Sequence, residues 1–271
     1  MARLGTEVVL VARNALLAAI KTYMDKVMYL RGSSVKDLDS QLRLAKEDAM
    51  KQLIGYKPNT GLITRHLNDL RNALSKSGKC FIELRFRTAK KFISGWSPLY
   101  FITEVPMSWD VILDVPYIEG STIKGIVRDY FMEVVKESTD DKKRAEDMTD
   151  CVFGDKGGVG KVIFFNAYPV SEGPILTYDI INPHYPHAET EYDANPVPVK
   201  FLAIREGVDF VTFIAFDKNE LTNACGTDVL NYLLKAVLLS MKVGWGRRTS
   251  RGYGELELAM EEVELKCPGS R

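Results

Sequence analysis

The hydrophobic periodicity of the chain changes at Cys80, and this change limits the folds that the chain can adopt. In residues 1–78, apolar residues recur at three- and four-residue spacing, which is the signature of amphipathic helices. From Cys80 onward, the segment CFIELRFRT alternates apolar and polar residues, which is typical of a half-buried strand. The sequence therefore predicts a helical N-terminal segment, 1–78, that packs on a second domain, 79–271.

The second domain alternates predicted strands and helices. Two long helices are expected, one from Ser121 to about Glu137 and one in TDVLNYLLKAVLLSMKVG, which ends at Gly244. Strands are expected at CFIELRFRT, WDVILDV, KVIFFNAYPV, VKFLAIR, DFVTFIAFD and GELELAMEEVELK. This order predicts an α+β fold of the ferredoxin-like (RRM-like) type, with insertions and an N-terminal helical extension. Because this fold serves many functions, the functional argument has to rest on particular residues.

Overall charge, cysteine content and hydropathy narrow the class of protein. The chain has 36 basic and 36 acidic residues, so any nucleic-acid site has to be a local patch. Its four cysteines are too scattered for a metal knuckle and too few for a disulfide-built fold, so we expect no metal and a reducing cytoplasm. The apolar run VVLVARNALLAAI is shorter than the roughly 20 residues that span a bilayer. We therefore expect a soluble protein with no membrane partner.

The segment GDKGGVGKV, residues 154–162, superficially resembles a nucleotide-binding loop. Such a loop needs a Ser or Thr after its lysine and a helix beyond it, but Lys161 is followed by Val162 and the strand-like run VIFFNA. The run KESTDDKKRAEDMTD before it reads as a solvated charged segment instead of a buried strand. The sequence therefore predicts a glycine-rich turn that leads into a strand, and no binding of ATP.

The segment GWGRRTSRGYGELEL, from Gly244 to Leu258, is the strongest candidate for a binding site. Its glycines allow close backbone approach and can present N–H groups, its arginines suit phosphate oxygens, and Trp245 and Tyr253 offer faces on which a base could stack. The alternative is a helix-to-strand turn with solvated arginines. The residues predicted to bind RNA here are Gly244, Trp245, Gly246, Arg247, Arg248, Arg251, Gly252 and Gly254.

A second candidate site lies in PYIEGSTIKGIVRDYF, where a helix begins. Gly120 allows a sharp entry and Ser121 is a suitable N-cap, while Gly125 follows in the first turns. The free N–H groups of the first turn, with Lys124 and Arg128 nearby, would form an anion site. The alternative is a capped helix with no ligand.

Together these segments resemble the RAMP superfamily, the repeat-associated subunits of CRISPR effector complexes. GWGRRTSRGYGELEL is similar to the glycine-rich signature of that family, and PYIEGSTIKGIVRDYF to its helix-opening motif, with Glu119 where the family often has Pro. CVFGDKGGVGKVIFFNAYPV is similar to a third family segment. Within the superfamily, YDIINPHYPHAETEYDANPVPVKFLAIREG resembles the family that forms subunit six of the Cmr complex, the type III-B effector.

The resemblance implies a structural, RNA-binding role in antiviral defence without catalysis or a cofactor. Such a subunit binds the 3′ region of the guide crRNA, caps the effector filament at the end farthest from the 5′ tag, and has target RNA as a further partner. It packs against a RAMP neighbour and small helical subunits. We expect Arg247, Arg248, Arg251 and Lys124 to neutralise RNA phosphates, so that docking does not depend on base sequence.

Two other functions remain open. One is a CRISPR precursor-RNA endoribonuclease, because relatives of the same fold use a histidine as general acid or base. His184 and His187 would be the candidates, with Asp179 or Asp193 as carboxylates, although two histidines alone make a weak metal site. The other is an adaptor that does not contact RNA. We favour contact with a neighbouring subunit for the loop residues Asn182, His184, Tyr185 and His187.

Overall fold

The protein is described from a computed structural model, which describes residues 14–30, 35–95, 102, 105, 107–181 and 198–268. Within these residues the chain forms seven α-helices. Three of them precede the first strand, and α3 buries Ile63, Leu67 and Leu74 at the spacing that the sequence predicted. The helices are α1 (Ala15–Met28), α2 (Val35–Ile54), α3 (Thr60–Lys76), α4 (Gly120–Thr139), α5 (Lys142–Phe153), α6 (Lys218–Cys225) and α7 (Val229–Val243).

The strands form one main antiparallel sheet and two small two-stranded sheets. They are β1 (Cys80–Thr88), β2 (Trp109–Asp110), β3 (Val115–Pro116), β4 (Val162–Phe164), β5 (Tyr168–Pro169), β6 (Leu176–Ile181), β7 (Val199–Ile204), β8 (Asp209–Phe216) and β9 (Leu256–Lys266). The main sheet has the order β4–β8–β1–β9, with β5 also paired to β8, while β2 pairs with β3 and β6 with β7. The fold is α+β, as the sequence predicted.

Side chains of the central strand β1 alternate between the two faces of the sheet. Glu83 faces α3, where its carboxylate accepts two hydrogen bonds from Arg71 at 2.7 and 2.6 Å. Phe86 points to the other face, where its ring meets that of Trp245, just after α7. Helices α4 and α7 pack on each other and contact the sheet at β4 and β9. The buried residues on both sides of the sheet therefore belong to one hydrophobic core.

A tight turn at Asp114 is one of the places where the N-terminal helices contact the rest of the chain. One oxygen of Asp114 accepts a hydrogen bond from the Ala15 amide at 2.7 Å, and the hydroxyl of Tyr56 donates to the Asp114 carbonyl at 2.7 Å. Helix α3 ends at Lys76 and β1 begins at Cys80. The division of the chain into two domains at residue 78 stays a prediction.

Helix α5 replaces the solvated charged run predicted for KESTDDKKRAEDMTD. Asp141 caps its N-terminus by accepting from the Arg144 amide at 3.0 Å, and Ala145, Met148 and Val152 form a buried stripe. The many charged residues lie on the remaining faces. The prediction was wrong because a few apolar residues at helical spacing are enough to stabilise a helix when tertiary packing covers them.

The predicted strand WDVILDV is also corrected. It forms a hairpin in which Trp109 pairs with Pro116 and Asp110 with Val115. Asp110 accepts from the amides of the two following turn residues, Ile112 and Leu113, both at 2.9 Å. This side-chain capping makes a turn more stable than a continuous strand. Sequence reasoning also missed strand β6 and helix α6.

All four cysteines of the chain are joined in disulfides, Cys80–Cys267 and Cys151–Cys225. The pairs are 187 and 74 residues apart in sequence, so spacing alone gave no indication of either. Cys80 begins β1 and Cys267 directly follows its neighbour β9. The bridge therefore fastens the edge strand to the central strand. None of the helices within the described ranges is long and apolar enough to cross a bilayer.

Candidate nucleic-acid interface

The glycine-rich loop between α7 and β9 is fixed by backbone hydrogen bonds. The Trp245 amide donates to the Gly254 carbonyl at 2.9 Å, which closes the loop on itself. The Gly254 amide donates to the Lys91 carbonyl at 2.9 Å and the Arg247 amide to the Ile93 carbonyl at 3.2 Å, which dock the loop on the segment that follows β1. The conformation of the loop is therefore set by the body of the protein.

Trp245 is an anchor of this loop and does not offer a face for an RNA base. Its side chain is fully buried, its Nε1 donates to the Ser240 hydroxyl at 3.0 Å, and its ring meets Phe86 edge to face at 5.1 Å. The prediction that Trp245 stacks on a base is thus corrected. An indole with one N–H and a large apolar surface is stabilised more by a core position with one partner than by solvent.

The loop glycines allow close packing more than they expose amides. A Cβ on Gly254 would lie 2.0 Å from the Trp245 carbonyl oxygen, and one on Gly246 would lie 2.5 Å from the Ile93 carbonyl oxygen. The amides of Gly244, Gly252 and Gly254 all donate to backbone carbonyls. These amides are therefore not free to bind phosphate, contrary to our interpretation of the sequence.

The arginines of the loop extend into solvent. Arg247, Arg248 and Arg251 are exposed, and Arg248 has a left-handed backbone (φ 60°) at the start of a short 3₁₀ turn, Thr249–Arg251. In the part of the chain that the structure describes, none of their guanidinium groups forms an ion pair or a hydrogen bond. A fixed loop thus carries three unpaired cations, an arrangement suited to phosphate oxygens.

A carboxylate from strand β6 reaches the same loop. One oxygen of Asp179 accepts from the Tyr253 hydroxyl at 2.7 Å and from the Lys91 ammonium at 3.1 Å. Burial, then the hydrogen bond to Asp179, raises the pKa of Tyr253 to about 12. Burial acts to raise the pKa of Asp179, but the hydrogen bonds from Tyr253, the Ile180 amide and Lys91 outweigh it, so this pKa is lowered.

The helix-entry motif differs from its predicted geometry. Helix α4 begins at Gly120, whose amide donates to the Asn166 side-chain oxygen at 2.9 Å, and a Cβ on Gly120 would lie 2.4 Å from the Phe164 carbonyl oxygen. Glu119 occupies the N-cap position without a capping hydrogen bond, and Ser121 is an exposed residue of the first turn. Ser121 is therefore not the N-cap. The Glu119 carboxylate beside this turn also disfavours an anion there.

The two basic residues of α4 that were predicted to bind RNA, Lys124 and Arg128, differ in how far they are engaged. Arg128 donates to the Gly154 carbonyl and to the Asp150 carboxylate, both at 2.6 Å, and so ties the end of α5 to α4. A phosphate would have to compete with both contacts. Lys124 is partly exposed and Gly125 has open space around it. Among the described residues, no hydrogen bond or ion pair joins this motif to the glycine-rich loop.

The loop that carries the histidine candidates and Asp193 is not among the residues that the structure describes. Asn182, His184, Tyr185 and His187 lie outside the described residues. His66 is exposed and meets the Tyr168 ring edge to face at 5.3 Å, in line with a surface histidine. A search of the described ranges finds no cluster of His, Cys, Asp and Glu that could hold a metal ion.

The glycine-rich turn after α5 leads into a strand, as the sequence predicted. Gly154 bridges to Val159, and strand β4 begins at Val162. The Lys161 ammonium pairs with Glu220 at 2.8 Å. The helix N-terminus that a phosphate loop needs is replaced here by a strand.

Comparison with known proteins relates this chain to CRISPR subunits. A model of the RAMP superfamily matches residues 97–257. The chain is 28% identical to the CRISPR system CMR subunit Cmr6 of Saccharolobus solfataricus, over 85% of this chain and 77% of that protein. It is 29% identical to the CRISPR system Cmr subunit Cmr6 of Pyrococcus furiosus, over 52% of this chain and 58% of that protein. These matches agree with the resemblance read from the motifs.

The fold is also found in a solved assembly. A chain in the cryo-EM structure of the type III-B Cmr-beta complex bound to cognate target RNA matches with a TM-score of 0.75 and 22% identity. The match covers 94% of this chain and 93% of that chain. The similarity of fold therefore extends over almost the whole length of both.

Proposed function

Because the chain belongs to the RAMP superfamily, we propose that it is the subunit-six protein of a type III-B CRISPR (Cmr) effector and that it binds RNA without cleaving it. The observation that carries this proposal is a loop, held in place by the body, whose three exposed arginines have no partner among the described residues. Such a loop neutralises phosphates at low entropic cost, since its backbone is already ordered before RNA binds.

The topology supports a ferredoxin-like assignment for the body. The elements β1, α4, β4, β8, α7 and β9 follow one another in the chain, and the sheet order is β4–β8–β1–β9. This matches a β-α-β-β-α-β unit. In this assignment the β2–β3 and β6–β7 hairpins and helices α5 and α6 are insertions, and α1–α3 form an N-terminal extension.

The proposed ligand is the 3′ region of the guide crRNA, at the filament end farthest from the 5′ tag. The structural relative is part of a Cmr complex bound to cognate target RNA, which supports RNA and other Cmr subunits as partners. Affinity purification of the full chain from native cells, followed by RNA sequencing and mass spectrometry, tests this. Recovery of short guide RNAs with a RAMP neighbour and small helical subunits is expected; recovery of the chain alone would contradict it.

We place the complex in the cytoplasm. Disulfides are rare in the cytosol of most cells but persist inside hyperthermophilic archaea, so the two bridges are compatible with an intracellular effector there.

The absence of catalysis is part of the proposal. Incubation of the purified chain with repeat-containing RNA should leave the RNA intact, and cleavage that is lost in His184→Ala would favour the endoribonuclease instead.

Neutralising the loop arginines tests RNA binding directly. In the variant Arg247→Gln/Arg248→Gln/Arg251→Gln, the affinity for a single-stranded RNA oligonucleotide should fall, because three phosphate contacts are lost. For single strands each contact contributes about 0.7 to the slope of log K against log salt concentration, so the slope should fall by about 2. Fluorescence anisotropy at several salt concentrations measures both quantities.

A matched control separates the loop from overall charge. Lys142→Gln/Lys143→Gln/Arg144→Gln removes the same charge from exposed positions in the first turn of α5. This variant should keep the affinity and the salt slope of the parent protein. Equal losses in both triple variants would show that RNA binding follows net charge, and the assignment of the loop would fail.

A further inference from the structure

Asp179 links two parts of the candidate interface that lie far apart in sequence. Its Oδ2 accepts from Tyr253, inside the glycine-rich loop, and from Lys91, in the segment that follows β1. The Asp179 side chain is 22% exposed and that of Lys91 is 40% exposed. In a partly buried position, hydrogen bonds to a charged group are stronger than those between neutral groups.

The hairpin that carries Asp179 packs on the loop as well. The Phe201 ring lies 6.3 Å from the Tyr253 ring, and Phe92 pairs with Ile204 at the end of β7. Ile93, Phe201 and Ala203 form a small buried cluster against which Tyr253 packs. The β6–β7 hairpin and the segment after β1 therefore support the loop from two sides.

The charges around Asp179 are mostly positive. Lys91 pairs with it, and Arg248 and Arg251 lie close enough to the Tyr253 hydroxyl to act on its pKa, in the direction opposite to Asp179. Without the carboxylate these cations would repel one another, and the loop would lose its only side-chain hydrogen bond to β6 among the described residues. Asp179 thus offsets the repulsion of the basic groups that the loop brings together.

We propose that Asp179 is a positioning residue for RNA binding: its carboxylate holds Tyr253 and Lys91 so that the loop arginines keep one arrangement toward the RNA backbone. This rests on the proposed function of the loop. Asp179 itself, as an anion, does not contact phosphate. Its loss should therefore lower affinity through disorder of the loop and leave the number of phosphate contacts unchanged.

The substitution Asp179→Asn tests this, with Asp209→Asn as the matched control. Asp209 is also partly exposed and accepts two hydrogen bonds from Arg87, but it lies at the start of β8, outside the loop. Loss of charge-assisted bonds to Asp179 should reduce the affinity for a single-stranded RNA oligonucleotide about tenfold, with an unchanged salt slope. Asp209→Asn should bind as the parent does.

A double-mutant cycle distinguishes positioning from a general loss of structure. If Asp179 acts through Tyr253, then Tyr253→Phe should also weaken RNA binding. The double variant should then bind RNA with no lower affinity than the single variant that binds less tightly. Additive losses, a shift of the thermal midpoint as large as that of a core variant, or tighter binding by Asp179→Asn would each overturn the proposal. Tighter binding would mean that the carboxylate only repels RNA.

Hydrogen exchange tests the same link without RNA. Asp179→Asn should increase exchange of the Arg247 and Gly254 amides about tenfold, while amides in β1 and β8 keep their protection. If exchange of the loop is unchanged, the proposal fails even when the triple arginine variant confirms RNA binding. If the exchange result holds but the parent chain binds no RNA, the link between Asp179 and the loop stands, but the proposed function fails and with it the role of Asp179 in RNA binding.

Discussion

The close packing of the glycine-rich loop leads to a sharp prediction for two of its glycines. Gly252 and Gly254 both have positive φ, 82° and 80°. A Cβ on Gly252 would meet nothing within 4 Å, whereas one on Gly254 would lie 2.0 Å from the Trp245 carbonyl oxygen. Gly252→Ala thus measures the conformational cost alone, and Gly254→Ala adds a clash with backbone that cannot move without breaking the loop.

The difference between the two variants can be worked from these contacts. A left-handed conformation costs a non-glycine residue about 1–2 kcal/mol, and this is the whole expected effect of Gly252→Ala. Relief of the clash at Gly254 would also break its backbone bonds to Trp245 and Lys91, at about 1 kcal/mol each. The expected loss for Gly254→Ala is therefore about 3–4 kcal/mol.

Urea denaturation followed by far-UV circular dichroism gives the free energy of unfolding for each variant. The loop geometry predicts Gly254→Ala to be less stable than Gly252→Ala by about 2 kcal/mol. Equal destabilisation, or a Gly254→Ala variant as stable as the parent, would refute the reasoning that backbone approach at Gly254 fixes the loop.

Other contacts lead to further predictions. Replacing Cys80 and Cys267 by Ser should destabilise the fold by up to about 5 kcal/mol in the chain-entropy model, measured by urea denaturation without reductant; equal midpoints would mean that the bridge does not constrain the unfolded chain. Burial acts to raise the pKa of Glu83, but hydrogen bonds and charge from Arg71, with other cations nearby, outweigh it, so the pKa is lowered. Its contribution to stability should therefore be complete above the unfolded-state pKa of about 4.3 and should be lost as the pH falls through the folded-state value. Glu83→Gln should remove this part of the acid dependence, and an unchanged pH profile would contradict the ion pair.

The sequence predicted those helices and strands in which apolar residues recur at one regular spacing. Strand β1 and helices α3, α4 and α7 bury a regular face, so their spacing was sufficient to find them. Helix α5 was missed because half of its residues are charged. Its signal was present in Asp141 as an N-cap and in the spacing of Ala145, Met148 and Val152. A short apolar stripe of this kind is evidence for a helix even within a long charged run.

The candidate site was predicted in composition but not in arrangement. The Gly-Arg pattern indicated a basic loop, and the structure places its arginines in solvent. The same pattern did not indicate whether the Trp245 side chain is buried or exposed, because its burial depends on the neighbouring Phe86 and Ser240. Lys91 was missed for a similar reason: it lies 88 residues from Asp179 in the chain and is brought there by the fold. Contacts of this separation are set by tertiary structure.

The Cys80–Cys267 bridge makes the body a covalent macrocycle. A single proteolytic cut anywhere between these two cysteines leaves both pieces on one molecule until a reductant is added. A cut before Cys80 instead releases every residue that precedes the cut. Limited proteolysis read on non-reducing and reducing gels would therefore map which side of Cys80 was cut.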